Sequence, residues 1–199
     1  MNLAFLASHR GSNMQAVLDA CKDGRLQARP CVVISNNGDA EALVRAKHEN
    51  IPNYHLSSKT HPDPGLLDME ILLSLQKHHT QLVILAGYMR KLGPETLAGY
   101  KNRIVNIHPA WLPRHGGEGM YGMRVHEAVL AAGEKETGVT IHLVDEEYDH
   151  GAILAQCPVP VLEGDTGPIL AQRVLECEHR FLVETLRRIT SGELTLPTG

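Results

Sequence analysis

Short apolar runs alternate with longer amphipathic segments through the first half of the chain, and this rhythm limits the possible folds more than any other feature. The runs at 2–7 (NLAFLA), 31–35 (CVVIS) and 81–86 (QLVILA) are apolar at nearly every position, as strands buried on both faces must be; a shorter strand is expected at 54–56. Between them, 14–23, 40–49 and 66–78 read as helices. Asn13 is expected to cap the first, Met14, Val17, Leu18 and Cys21 to share one of its faces, and Asp23-Gly24 to end it. Strand, helix, strand, helix predicts a parallel sheet covered by helices on both sides.

After an apolar strand at 104–107 the rhythm changes. Segments 139–144 and 153–161 read as strands joined by an acidic turn too short for a crossover helix, so they should pair antiparallel and make the sheet mixed. A long helix from 168 to 190 closes the fold, with Ile169, Val174, Cys177, Phe181 and Leu182 toward one face; the turn-rich 191–199 is expected to fray. The expectation is one α/β domain over 1–199, with a parallel half at 1–100 and a mixed half at 101–190.

A formal charge of -4 and the absence of any Lys/Arg block argue against nucleic acid as the main partner. Small anions remain possible, because backbone N–H groups bind them without net charge. The four cysteines (Cys21, Cys31, Cys157, Cys177) are widely spaced, lack a CxxC, and are expected to be free thiols. The start of the chain does not resemble a signal peptide, and no apolar run nears the ~20 residues a membrane helix needs. A reducing, cytoplasmic setting without membrane attachment is expected.

Three segments carry candidate chemistry. Ser8-His9-Arg10-Gly11-Ser12-Asn13 follows the first strand and opens a helix, which suits a phosphate monoester; the same residues also fit a simple capped turn. Neither GxGxxG nor GxxxxGK[ST] is present. At the end of the 104–107 strand, alternation puts Asn106 and His108 on one side, so an amide and an imidazole can converge on one developing oxyanion, with Pro109 stiffening the exit. The third is Asp145-Glu146-Glu147-Tyr148-Asp149. It is either a solvated hairpin or the source of a carboxylate that folds back toward His108. His108, His115, His126 and His142 lack a recognised ligand spacing, so no metal is expected.

Taken together, GSN at 11–13, SN at 35–36, LAGYMRKL at 85–92, NIHPAWLP at 106–113, HLVDEEYDHG at 142–151 and GD at 164–165 resemble the glycinamide ribonucleotide formyltransferases, from residue 2 to about 186. The resemblance implies the formyltransferase fold, a Rossmann-like open mixed sheet with helices on both faces. It implies transfer of a formyl group from 10-formyltetrahydrofolate, a co-substrate rather than a bound cofactor, to the amine of phosphoribosylglycinamide. By the same resemblance, Asn106, His108 and Asp149 are catalytic. Gly11, Ser12 and Asn13 hold the phosphate, Glu178 meets the sugar, and Gly87 and Pro109 flank the nucleotide. Met89, Arg90, Leu92 and Asn106 line the folate pocket, closed by Asp145, Glu146, Glu147, Tyr148 and Asp149. His108 is expected to be protonated, held so by Asp149.

The chain departs from that pattern in places. A longer segment, RHGGEGMYGMRVHEAV, follows Pro113, and its glycines suggest a mobile loop at 114–124. Leu175 and Pro64 stand where polar contacts to nucleotide and folate tail are common in the family, and His9 and Arg10 are bulkier than usual. The alternatives are a related folate-dependent formyltransferase or deformylase, or a non-catalytic phosphate- or nucleotide-binding module. The tRNA-directed relatives carry a further basic domain, and the deformylases a preceding regulatory one. The expected partners are small molecules, with the protein a monomer or homodimer.

Overall fold

A computed structural model describes residues 1–197; the last two residues of the segment expected to fray, and of the expected domain, lie outside them. One seven-stranded sheet runs in the order β3-β2-β1-β4-β5-β6-β7. β1 (Asn2–Leu6), β2 (Arg29–Ser35), β3 (Asn53–His55), β4 (Leu82–Leu85) and β5 (Ile104–His108) are parallel. β6 (Glu136–Leu143) and β7 (Ile153–Pro160) join antiparallel, as the short acidic turn requires. The helices are α1 (Ser12–Lys22), α2 (Glu41–His48), α3 (Pro64–Lys77), α4 (Pro94–Gly99), α5 (Met123–Ala131) and α6 (Gly167–Thr190).

Alternation along each central strand divides the core into two layers. Leu3, Phe5, Val33, Ile84, Val105, Ile107 and Ile141 pack with Met14, Val17 and Leu18 of α1 and Val174, Leu182 and Leu186 of α6. Ala4, Leu6, Val32, Ile34, Val83 and Ile104 pack with Ile71, Leu72 and Leu75 of α3. Each of these Leu, Ile, Val and Phe side chains contributes roughly 1.5–3 kcal/mol by leaving water, which is why the strands are apolar on both sides of the alternation. On α6, Val174, Cys177 and Leu182 are buried as expected and Phe181 is partly so, but Ile169 is half exposed in the first turn, before the helix reaches the core.

Two helices were not expected. α4 is a six-residue segment starting at Pro94. Its N-terminus is held by buried Asp68, which accepts hydrogen bonds from the N–H groups of Glu95 (2.7 Å) and Thr96 (3.1 Å). α5 follows the glycine-rich loop and buries Val125, His126 and Val129. β6 also starts three residues before the expected 139, its first residue Glu136 pairing with Pro160.

Strand order reverses between β1 and β4, so the loops leaving their carboxyl ends part there and leave a crevice, the usual ligand position in an open α/β sheet. The two loops are tied at its base by the Ser8 N–H to the Gly87 carbonyl, 3.0 Å.

Candidate active site

The turn after β1 is built around glycine. Gly11 holds a left-handed conformation (φ 66°) at the N-cap of α1, and a Cβ there would lie 2.8 Å from Ala42 Cβ, so α2 could not pack this close. Gly11 therefore replaces Asn13 as the capping residue. Asn13 sits inside the helix, and its carboxamide hydrogen-bonds the buried Glu178 carboxyl of α6, leaving its Oδ1 buried without a partner. The first intrahelical bond runs from Gln15 N–H to Gly11 carbonyl (2.9 Å), which leaves the first-turn N–H groups directed outward, as at an anion site. Ser8 braces the neighbouring loop: its buried hydroxyl accepts the Met89 N–H at 2.7 Å.

At the end of β5, alternation turns Val105 and Ile107 into the core, and Asn106 and His108 away from it. The β6–β7 turn then folds back, with Asp149 in a left-handed conformation (φ 56°) that Asp tolerates better than most residues. Gly151 makes the fold-back possible, since a Cβ there would overlap the Leu143 carbonyl. Asp149 consequently meets both predicted partners. Its Oδ2 lies 3.5 Å from His108 Nδ1, and its Oδ1 accepts from Asn106 Nδ2 at 3.4 Å. Gly117 of the glycine-rich loop donates its N–H to Oδ2 at 3.0 Å, and the His115 carbonyl lies 2.8 Å from His108 Nε2. The loop is thus docked on the His108–Asp149 pair.

Burial is the largest influence on His108 (3% exposed) and sets its pKa below the ordinary 6.5, although Asp149 and the His115 carbonyl both pull the other way. The expected protonated form is opposed by desolvation, yet it is the form the contacts suit: a carbonyl and a carboxylate only accept, so each ring nitrogen needs a proton. For Asp149, burial would raise the pKa, but hydrogen bonding from His142 and the nearby His108 and Gly117 N–H outweigh it and hold the carboxyl below its usual range. Glu178 has no such support. Burial pushes it up to about 7, offset only in part by Asn13.

These groups face one cavity of about 670 Å³. Its wall includes Asn13, Gly87, Pro109, Leu175, Glu178 and residues of α5. Leu85, Met89, Arg90, Leu92, Asp145 and Tyr148 also line it, and Lys91 Nζ stands 5.8 Å from the Tyr148 ring centroid, linking the 85–92 and 145–149 segments. Asn106, His108 and Asp149 share that wall. A larger open crevice of about 1110 Å³ lies across the Tyr88–Leu92 wall and includes His9, Arg10, Lys59 and Pro64. It lacks the convergent amide, imidazole and carboxylate of the smaller cavity, which is where the chemistry belongs.

Most expected site residues come together here: Asn13, Gly87, Met89, Arg90, Leu92, Asn106, His108, Pro109, Asp145, Glu147, Tyr148, Asp149 and Glu178 line the cavity. Gly11, Ser12 and Glu146 do not; Gly11 is occupied with packing against α2, and Glu146 is exposed in the turn. Two lining histidines had no expected role. His142, opposite Asn106 in the ladder, places Nε2 3.0 Å from the Asn106 amide nitrogen and 3.5 Å from Asp149 Oδ1. His126 enters from α5. Strand alternation places His142 and Thr140 on one face of β6, but the cross-strand partner depends on register, which no local pattern encodes.

A family model described as formyl transferase matches residues 1–186. The chain is 40% identical over 188 residues to a chloroplastic phosphoribosylglycinamide formyltransferase of Arabidopsis thaliana, covering 94% of this chain and spanning 64% of that protein's length. It is 33% identical to the phosphoribosylglycinamide formyltransferase of Escherichia coli (98% of this chain, 90% of that protein). Among solved structures, glycinamide ribonucleotide transformylase 1 from Symbiobacterium toebii superposes with a TM-score of 0.91 at 38% identity, covering 99% of this chain and 91% of that one.

Proposed function

The chain belongs to the formyl transferase family, and on that premise we propose that it transfers the formyl group of 10-formyltetrahydrofolate to the amine of phosphoribosylglycinamide, in purine biosynthesis. The products are formylglycinamide ribonucleotide and tetrahydrofolate. The observation that carries this reading is the convergence of Asn106, His108 and Asp149 in the wall of the cavity of about 670 Å³, where two co-substrates can meet.

In this reading the phosphate rests on the first-turn N–H groups of α1, the sugar lies toward Glu178, and the pterin enters between the 85–92 and 145–149 segments. The substrate amine attacks the formyl carbon, and the formyl oxygen gains negative charge as its π bond breaks. Asn106 Nδ2–H and His108 Nε2–H stabilise that oxygen, which takes the place of the His115 carbonyl now at 2.8 Å; one well-placed donor of this kind contributes about 3–4 kcal/mol. Asp149 keeps a proton on His108 Nδ1 and receives the amine proton through water. Collapse of the tetrahedral centre breaks the bond to folate N10, which leaves with the proton that Asp149 passes on through water. Folate is a co-substrate, and the reaction as written uses no resident cofactor. The catalytic groups all come from one copy of the chain, so a monomer or a homodimer would serve. Four free cysteines suit a reducing cytoplasm.

The test is to follow tetrahydrofolate release from 10-formyltetrahydrofolate with and without phosphoribosylglycinamide. Release that requires the nucleotide is the expected result. Release without it would make the chain a deformylase, and no release in either case would leave a binding module.

A further inference from the structure

α5 carries a histidine that the chemistry above does not use. His126 is 6% exposed, lines the cavity, and keeps its Nδ1 away from water with no hydrogen-bond partner. Two other buried polar side chains line the same cavity: Asn13, whose Oδ1 is also without a partner, and Glu178, whose buried carboxyl has the Asn13 carboxamide beside it. They come from α1, α5 and α6, and α6 packs against both of the others. Buried polar atoms are almost always paired in a folded protein, so two unpaired buried atoms and a buried carboxyl around one cavity call for a ligand that pairs them.

Their chemistry narrows that ligand. Asn13 Oδ1 accepts, an ionised Glu178 accepts, and a neutral imidazole has one donor and one acceptor nitrogen. Burial and the nearby His108 both press His126 toward that neutral form. An acceptor-rich wall is matched by O–H groups, which donate and accept, and is a poor place for a dianionic phosphate beside a buried carboxyl. The phosphate therefore belongs at the mouth, on the α1 N–H groups, with the sugar deeper.

We infer that His126 is a ribose-recognition residue: together with Asn13 and Glu178 it hydrogen-bonds the sugar hydroxyls of the nucleotide and favours a ribonucleotide over its deoxy counterparts. This rests on the functional reading above, in which a phosphoribosyl substrate occupies the cavity.

The experiment pairs variants with substrates. Wild type, His126→Ala and His126→Asn are assayed with phosphoribosylglycinamide and with its 2′-deoxy and 3′-deoxy analogues. His126→Ala should raise KM for the ribonucleotide up to about tenfold, the worth of one neutral hydrogen bond. KM for 10-formyltetrahydrofolate should hold, and His126→Asn, which can still donate and accept, should recover part of the loss. With one of the two deoxy analogues the Ala substitution should cost nothing further, because the hydroxyl it served is gone. An equal penalty on all three nucleotides, or an unchanged nucleotide KM, would overturn the assignment. So would a parallel change in both KM values with a lowered Tm, which would make His126 a packing residue. Wild-type protein that does not formylate the ribonucleotide would sink the functional reading itself, whereas wild-type turnover with uncoupled variants sinks only the ribose assignment.

Discussion

Asp149 Oδ2 stands 3.5 Å from His108 Nδ1, although 41 positions separate the two residues, because the β6–β7 turn doubles back over β5. The pair sets a burial effect against a charge effect. Desolvation favours neutral His108, while the carboxylate and the His115 carbonyl favour the imidazolium. In the proposed mechanism Asp149 is therefore a tuning group as well as a proton acceptor.

Replacing Asp149 with Asn removes the charge that raises the His108 pKa and leaves burial unopposed on that side. If imidazolium is the working form, kcat should fall by about 10²-fold or more, within the range for losing a general acid–base partner. The alkaline limb of kcat/KM should move to lower pH, because a lowered pKa means the proton leaves earlier as pH rises. A pH–rate profile measures both effects; a limb that moves to higher pH would contradict this account of the pair.

Glu178 sits in its site at an energetic cost. Its folded pKa is about 7 against an ordinary 4.5, so folding retains a proton that the unfolded chain releases. The sign follows: its contribution to stability is complete below pH 4.5 and is lost as pH rises through 7. Glu178→Gln, which never ionises, should gain on wild type over that window by up to about 3 kcal/mol. Tm of the two proteins at pH 5 and pH 8 tests this. The variant should also bind the nucleotide more weakly if the carboxylate meets the sugar.

Gly11 and Gly87 both hold positive φ (66° and 75°), but only Gly11 is also crowded, with Ala42 Cβ 2.8 Å from a would-be Cβ. Gly87→Ala should cost about 1–2 kcal/mol, the left-handed penalty alone. Gly11→Ala should cost distinctly more, since α2 must shift as well. Denaturant midpoints would show the order, and equal costs would mean that the Ala42 contact yields freely.

The limits of sequence reading are visible in particular residues. Period-two alternation places Asn106 and His108 together, and the apolar strands 2–7, 31–35 and 81–86 correspond to β1, β2 and β4, because these patterns are local. The tie from Asp149 to His108 was available only through the acidic turn's likeness to a known family; nothing local says which carboxylate folds back. α4 escaped because six residues after Gly93-Pro94 are too few to show a period, and α5 because it follows a glycine-rich loop. Asn13 has the chemistry of a cap but is turned toward Glu178, while a left-handed Gly11 makes the turn. His142 and Gly117 reach Asp149 through sheet register and loop docking, which are long-range events.

The most direct test of the central claim, that this cavity performs formyl transfer through His108, is to compare single-turnover formylation and phosphoribosylglycinamide binding in wild type and His108→Ala. The account predicts a rate loss of about 10²–10³-fold, that of a lost oxyanion donor, with nucleotide affinity nearly unchanged. Equal losses in rate and affinity would make His108 a binding residue and contradict the mechanism.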